Sequence, residues 1–192
     1  MKKLPLYKAI LSSDDCGIQK ISLVEKPAVQ SNFVCFSENK QEVKFAIKDE
    51  EKREILGVIM RADFPIYRNS NGYEYYVQYD SDVIKEMAKK MFEDCVQNKI
   101  NLQHQDNTDV QTVKIFECFI KDVENGINPK GFEDVENGSM FARFKVEDDN
   151  LWQEIKNGTF KGFSLEGIFE FELEEKDDDI DKIIDLLEKI LK

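Results

Sequence analysis

The residues best suited to chemistry in this chain are one serine and the single histidine. Ser164 lies in the stretch 161–167, where apolar and polar residues alternate as they do in a β-strand. A serine hydroxyl needs a general base to attack a carbonyl carbon, and imidazole titrates in the useful range, near pH ~6.5. His104 is therefore the candidate base for Ser164. The alternative is a solvent-facing serine on a half-buried strand and a surface histidine, neither of them catalytic.

Glycines bracket the serine at positions 162 and 167. A glycine in a strand lets a second backbone approach closely, as an extended peptide substrate must. Glu166 shares the outward face with Ser164 at about 7 Å along the strand. We therefore predict that Gly162 and Glu166 shape a substrate-binding subsite. The spacing Gly-x-Ser-x-x-Gly is not the Gly-x-Ser-x-Gly elbow of an α/β-hydrolase.

Charge and composition narrow the class of partner. The 192 residues carry a net charge of −12, which argues against binding nucleic acid or an anionic membrane. No apolar run approaches the ~20 residues that a membrane-spanning helix needs, so we expect the chain to stay in the cytoplasm where it is made. The four cysteines show no paired spacing and only one histidine could assist them, so we predict no metal and no cofactor.

The chain is long enough for one domain, which we place at 1–176, followed by a separate amphipathic helix at 177–192. Residues 55–60 are apolar on both faces and predict an interior strand of a sheet or barrel. An Asn-Gly turn at 71–72 predicts a hairpin. Further strands are predicted at 17–28, 32–36, 42–47, 111–122, 139–146 and 161–173, and helices at 83–98 and after Asp148 up to Gly158.

Several motifs occur in an order that resembles a known family. They are Ile21-Ser22-Leu23-Val24 with Pro27-Ala28, Pro65-Ile66-Tyr67-Arg68, Asn101-Leu102 with His104, Glu117 in a long strand, and the stretch 161–167. Together they resemble the XkdF-like phage serine proteases. These are similar to the prohead, or capsid-maturation, proteases of tailed bacteriophages, which share the herpesvirus assemblin type of fold.

The resemblance implies an α+β fold, a mainly antiparallel β-barrel flanked by helices. It implies Ser164 as nucleophile and His104 as base of a serine endopeptidase. Its substrates would be the phage scaffold and major capsid protein, cleaved in the host cytoplasm within the procapsid. The alternative function is a non-enzymatic capsid-associated or scaffolding protein that retains the barrel.

The chain also departs from the family pattern in two places. Gln105 follows His104 where Asp or Pro is common in such families. The Ser-Leu-Val-x-x-Pro-Ala segment lies at the N-terminus, whereas in related prohead proteases it follows the nucleophile strand. The second departure implies a circularly permuted arrangement of the barrel.

Three acids compete to orient His104. Glu117 interrupts the apolar set of Val113, Ile115 and Phe119, and a carboxylate buried there would need a partner. Asp106 is close in sequence, and Glu166 lies on the strand of the serine. We predict Glu117 as the third member of a triad, with a Ser-His dyad as the alternative.

Apolar residues at helical spacing fill residues 180–191 near the C-terminus. This stripe predicts a helix that packs on the barrel. The alternative is a docking helix for self-association or for attachment to scaffold.

Overall fold

The computed structural model describes residues 4–27, 34–36 and 52–174. These residues form an α+β fold that consists mostly of strands, which confirms the predicted class. In chain order the elements are β1 Leu6–Ile10, β2 Gly17–Val24, β3 Val34–Phe36, β4 Glu54–Met60, β5 Ile66–Ser70, β6 Tyr73–Gln78, α1 Ser81–Glu93, β7 Ile100–Leu102, β8 Val113–Ile120, β9 Met140–Val146, α2 Asp149–Lys156, β10 Gly162–Ile168 and β11 Glu170–Leu173.

The strands are organised in three sheets. Their orders are β11-β1-β6-β5, β10-β2-β7 and β3-β4-β9-β8. Strand β2 pairs antiparallel with β10 and parallel with β7, so it lies at the centre of the small sheet. No ladder closes these sheets into one barrel within the part of the chain that the structure describes. The closed barrel therefore stays a prediction.

The core lies between the sheets and is built from the apolar faces of their strands. Strand β4 is buried along nearly its whole length, as its run of apolar residues predicted. Phe163 of β10 packs on Phe144 of β9 with ring centroids 4.5 Å apart, and Trp152 of α2 is fully buried. Because alternate residues of a strand face opposite ways, burying Phe163 turns its neighbour Ser164 to the other face of β10.

Local signals account for the hairpin and both helices. Asn71 and Gly72 both have positive φ, 52° and 84°, which suits the tight turn that joins β5 and β6. In α2 the Asp148 side chain accepts a hydrogen bond from the Leu151 amide at 2.7 Å. Helix α1 ends at Glu93, earlier than the predicted residue 98, and Cys95 in the following turn has a positive φ.

The run 161–173 was predicted as one strand, and this was wrong. It divides at Phe169 into β10 and β11, which belong to different sheets. The ladder with β2 also shifts between Glu166 and Gly167, so the simple alternation of faces ends there. Phe171 and Leu173 are exposed as a result.

Two predicted elements, the strand at 42–47 and the helix at 177–192, lie outside the described residues, and the domain boundary at 176 stays a prediction. The helices that the structure does describe are too short or too polar to cross a membrane.

Candidate active site

The small sheet brings four polar side chains to one face. Ser164 on β10 lies directly opposite Ser22 on β2, and Ser22 lies beside Asn101 on β7. Glu166 is two residues beyond Ser164 on the same strand, and therefore shares this face. Ser22 and Asn101 are fully buried, so each needs a hydrogen-bond partner inside the protein.

His104 reaches this face through a turn that directly follows β7. Gln103 and His104 both adopt left-handed backbone conformations, with φ of 53° and 59°. The amide of Gln103 donates to the Leu23 carbonyl of β2 at 3.0 Å, and Thr108 bonds both the amide and the carbonyl of Leu102. These bonds hold the turn against β2 and direct the imidazole ring back over the sheet.

The ring completes a cluster with Glu166, Ser22 and Asn101, which we call the polar cluster. His104 Nδ1 lies 3.1 Å from Glu166 Oε1 and 3.0 Å from Ser22 Oγ. Asn101 Nδ2 donates to the same Glu166 oxygen at 2.7 Å. Ser22 Oγ lies 2.8 Å from that oxygen and also contacts Asn101 Oδ1, but its single proton can go to only one of these acceptors.

This environment sets the charge of Glu166. Burial pushes the pKa of Glu166 up, but hydrogen bonds from Asn101, Ser22 and His104 outweigh it and hold the pKa below its usual value. An ionised carboxylate can only accept hydrogen bonds, so His104 Nδ1 must carry the proton between them. The lone pair of a neutral imidazole is then on Nε2, which forms no hydrogen bond with the described residues. His104 is thus prepared to accept a proton at Nε2.

Ser164 is adjacent to this cluster but not bonded to it. Directly opposed strand residues have Cα atoms about 4.5–5.5 Å apart, which places Ser164 beside Ser22. Within the described residues its hydroxyl has no hydrogen-bond partner, and none joins it to His104. The residue is 8% exposed and borders a cleft. The residues lining this cleft are Ile59, Met60, Ile66, Arg68, Tyr79, Ser164 and Leu165.

Glu117, the predicted third member, lies elsewhere. Its carboxylate pairs with Arg143 at 2.9 Å on the sheet of β8 and β9, and its side chain is 42% exposed. The ladder shifts between Ile115 and Glu117, which breaks the alternation on which the prediction depended. The acid that contacts His104 in the structure is Glu166, which was predicted to bind substrate and was also one of the three acids considered for orienting the ring. Asp106 is exposed and makes no contact with the ring.

The glycines that flank Ser164 serve the sheet itself. Gly162 is buried and pairs with Val24 of β2. A Cβ atom on Gly167 would lie 2.2 Å from the carbonyl oxygen of Gly17. The backbone that approaches Gly167 is therefore that of β2, and the predicted approach of a substrate backbone is not needed to explain this glycine.

Sequence reasoning missed Ser22 and Asn101 as members of the site. Each is a polar residue between two apolar residues of a strand that is buried on both faces: Ile21 and Leu23 flank the first, and Ile100 and Leu102 the second. A buried polar side chain in such a strand requires a partner, and this requirement could have identified both residues.

A family model described as "Putative phage serine protease XkdF" matches residues 42–172 of the chain. The matched segment contains His104, Ser164 and Glu166 but not Ser22. No curated protein and no solved structure matches the chain.

Proposed function

We infer that this chain, which belongs to the XkdF family of phage serine proteases, is a serine endopeptidase whose nucleophile is Ser164 and whose base is His104. The observation that carries this assignment is the contact of His104 Nδ1 with the ionised carboxylate of Glu166. A carboxylate on one ring nitrogen leaves the other free to act as base, which is the arrangement a serine nucleophile requires. Glu166 is accordingly the third member of the proposed triad.

The proposed reaction is acyl transfer. Ser164 Oγ attacks the scissile carbonyl carbon while its proton passes to His104 Nε2. The tetrahedral intermediate collapses, the C–N bond breaks, and the imidazolium gives that proton to the leaving amine. Water then attacks the acyl-enzyme by the same route and releases Ser164. Glu166 stabilises the imidazolium during both steps, and Ser22 and Asn101 hold the carboxylate in place.

Ser164 must come within hydrogen-bond reach of Nε2 for this reaction. His104 is well placed to close that gap, because it lies on an exposed turn rather than within a strand. Catalytic hydrogen bonds are often longer without substrate and tighten when substrate binds. We expect the ring to swing toward Ser164 while its Nδ1 keeps the bond to Glu166.

Ser22 is the competing nucleophile, because its hydroxyl already touches His104. Three features favour Ser164. Ser22 is fully buried, so a peptide carbonyl cannot reach it, whereas Ser164 borders the cleft. Ser22 contacts Nδ1, the nitrogen that donates to Glu166, and not Nε2. Its hydroxyl also lies within hydrogen-bond distance of Glu166 Oε1 and Asn101 Oδ1, which suits a structural role.

For the biological role we propose capsid maturation. The enzyme would cleave phage scaffold protein and major capsid protein inside the procapsid, in the host cytoplasm. Its fold would be an assemblin-type barrel, and residues 180–191 would be available for self-association. What supports this proposal is membership of a phage protease family. A non-enzymatic capsid-associated protein is the alternative, and it predicts no covalent labelling at Ser164.

The test is labelling of the full chain with a small uncharged fluorophosphonate, with the modified residue located by mass spectrometry. We expect label on Ser164, none on the Ser164→Ala variant, and strongly reduced labelling of His104→Ala. Ser13→Ala, a substitution at an exposed serine, serves as the matched control and should label fully. Label on Ser22, or no label on any serine, would overturn the assignment.

The maturation role has its own test, co-expression with the scaffold and capsid proteins of the same phage. Wild type should convert one or both to shorter fragments, and Ser164→Ala should leave both intact. Unchanged substrates alongside a fully labelled Ser164 would exclude this role but not the nucleophile.

A further inference from the structure

The cleft beside Ser164 contains one charged side chain among apolar walls. Ile59, Ile66 and Leu165 provide aliphatic surface, and Arg68 provides a guanidinium. The cleft is narrow, with a volume of about 20 Å³, so a bound side chain would lie along its mouth with an aliphatic stem on the apolar wall and a charged or strongly polar end at Arg68. The positive charge of Arg68 then determines whether an acidic or a basic end group is accepted.

Arg68 differs from the other arginines in having no acidic partner among the residues that the structure describes. Arg53 pairs with Asp149, Arg61 with Glu136 and Arg143 with Glu117. No carboxylate of the described residues forms an ion pair with Arg68.

The neighbour of Arg68 in the cleft is the hydroxyl of Tyr79. Tyr79 is 6% exposed, and burial raises the pKa of its hydroxyl while the adjacent Arg68 opposes that shift. The phenol therefore stays neutral and can donate a hydrogen bond. A guanidinium and a neutral hydroxyl that border the same cleft provide several donors for one acceptor group.

The cleft also lies where an extended peptide can bind. Strand β10 ends one sheet and β5 ends another, and residues of both line the cleft. A peptide that adds to an open strand edge gains main-chain hydrogen bonds independently of its sequence. Sequence preference must then come from the side-chain cleft beside the nucleophile.

We propose that this cleft selects an acidic side chain on a substrate residue next to the scissile bond, with its carboxylate bound by Arg68 and Tyr79. The proposal rests on Ser164 being the nucleophile. A guanidinium binds a carboxylate through two parallel hydrogen bonds, which an ammonium or an amide cannot match. A basic substrate side chain is repelled, and an apolar one leaves the guanidinium desolvated without a partner.

The acidic surface of the enzyme gives Arg68 a second role. A net charge of −12 repels acidic peptides in general. An acidic side chain is therefore favoured only where a local cation faces it, which restricts productive binding to the cleft. Added salt should reduce the preference, since the cleft is open to solvent at one side.

The test uses peptidyl phosphonates that differ only in the side chain next to the phosphorus: Glu, Gln, Lys and Leu. The measured quantity is the second-order rate of labelling of Ser164 in the full-length chain. For wild type we expect the Glu reagent to react about 10- to 100-fold faster than the Gln reagent, the range for one charge-assisted pair. Arg68→Gln should bring this ratio close to one, and Arg68→Glu should favour the Lys reagent. Arg53→Gln, which removes an arginine from a distant ion pair, should keep the wild-type ratio.

The outcomes separate the two proposals. If the small fluorophosphonate labels no serine, the proposed nucleophile fails, and the cleft assignment fails with it. If Ser164 is labelled but wild type reacts equally with Glu and Gln reagents, only the cleft assignment is overturned. If Arg68→Gln slowed all four reagents equally, Arg68 would act on the reacting group rather than on the neighbouring side chain. This result would also overturn the cleft assignment. Thermal melting of each variant identifies any that fail to fold.

Discussion

Glu166 Oε1 lies 3.1 Å from His104 Nδ1, although the two residues are 62 positions apart. The same oxygen accepts the amide of Asn101 at 2.7 Å, so the carboxylate is held from two sides. A carboxylate fixed in this way determines both the tautomer and the orientation of the imidazole.

The first prediction concerns the carboxylate itself. Glu166→Gln keeps the shape of the side chain but removes the charge that stabilises an imidazolium. We expect the rate of fluorophosphonate labelling to fall by about 10³- to 10⁴-fold, as it does when the acid of other triads is replaced by its amide. Labelling kinetics at neutral pH measure the effect, and circular dichroism verifies the fold.

Glu117→Gln is the matched control for that variant. It removes an equivalent charge from a half-exposed ion pair with Arg143, on another sheet. We expect labelling close to wild type and a loss of unfolding free energy of at most about 1 kcal/mol. A large loss of labelling in Glu117→Gln with little loss in Glu166→Gln would reverse our assignment of the acid.

The second prediction is a pH dependence of stability. The hydrogen bonds around Glu166 hold its pKa in the folded protein below its usual value, which is about 4.3 in the unfolded chain. A group with a depressed pKa contributes stability that is fully present well above the unfolded pKa and is lost as pH falls through the folded pKa. Between pH 6 and pH 3 wild type should therefore lose more unfolding free energy than Glu166→Gln.

Denaturant unfolding of both proteins at several pH values measures this difference. The remaining acidic residues are common to both proteins, so their contributions cancel to first order. Parallel pH curves for the two proteins would show that the polar cluster does not stabilise the ionised carboxylate.

The strand that carries Ser164 was predicted at the right place in the chain, but the contact between Glu166 and His104 was not predicted. On an ideal strand, Glu166 lies about 7 Å beyond Ser164. A histidine ring that is held by Glu166 through one nitrogen can reach Ser164 with the other nitrogen only if its backbone brings the ring over this strand. The missing geometry is the left-handed turn at Gln103 and His104, which brings the ring back over β10. Non-glycine residues adopt this conformation rarely, and no pattern in 100–107 indicates it.

Glu117 was favoured for a reason that holds only in a regular strand. Its apolar neighbours suggested a buried face, but the irregularity after Ile115 changes which side chains face the core, and Phe116 is exposed instead. Alternation is not needed for β4, which is buried on both faces although its ladder with β9 also shifts, between Val58 and Met60. It fails for β8 and for the run that divides into β10 and β11, where a single irregular residue alters every face beyond it.

The third prediction separates the two serines of the site. Ser22→Ala removes a buried hydroxyl that contacts His104, Glu166 and Asn101, so Asn101 Oδ1 loses its contact with that hydroxyl, while Glu166 Oε1 keeps Asn101 Nδ2 and His104 Nδ1 as partners. We expect a loss of about 1–3 kcal/mol of unfolding free energy, with slower labelling that still occurs on Ser164. Ser164→Ala should abolish labelling and leave the melting temperature nearly unchanged, because its hydroxyl bonds to none of the described residues.

Melting curves and mass-spectrometric mapping of both variants provide the measurement. Complete loss of label in Ser22→Ala with an intact fold, together with retained label in Ser164→Ala, would exchange the roles of the two residues.

The last prediction tests whether the register of β10 on β2 positions the nucleophile. In Gly167→Ala the new Cβ atom would lie 2.2 Å from the Gly17 carbonyl oxygen, so the two strands must separate or slip. We expect a loss of about 1–3 kcal/mol or more of unfolding free energy, together with slower labelling of Ser164 in the folded fraction.

Gly72→Ala is the control for destabilisation alone. Its φ of +84° makes a side chain unfavourable by about 1–2 kcal/mol, but no atom lies within 4 Å of the new Cβ. It should melt earlier and label Ser164 at the wild-type rate, and equal labelling rates in the two variants would mean that the contact between Gly167 and Gly17 stabilises the sheet without positioning the serine.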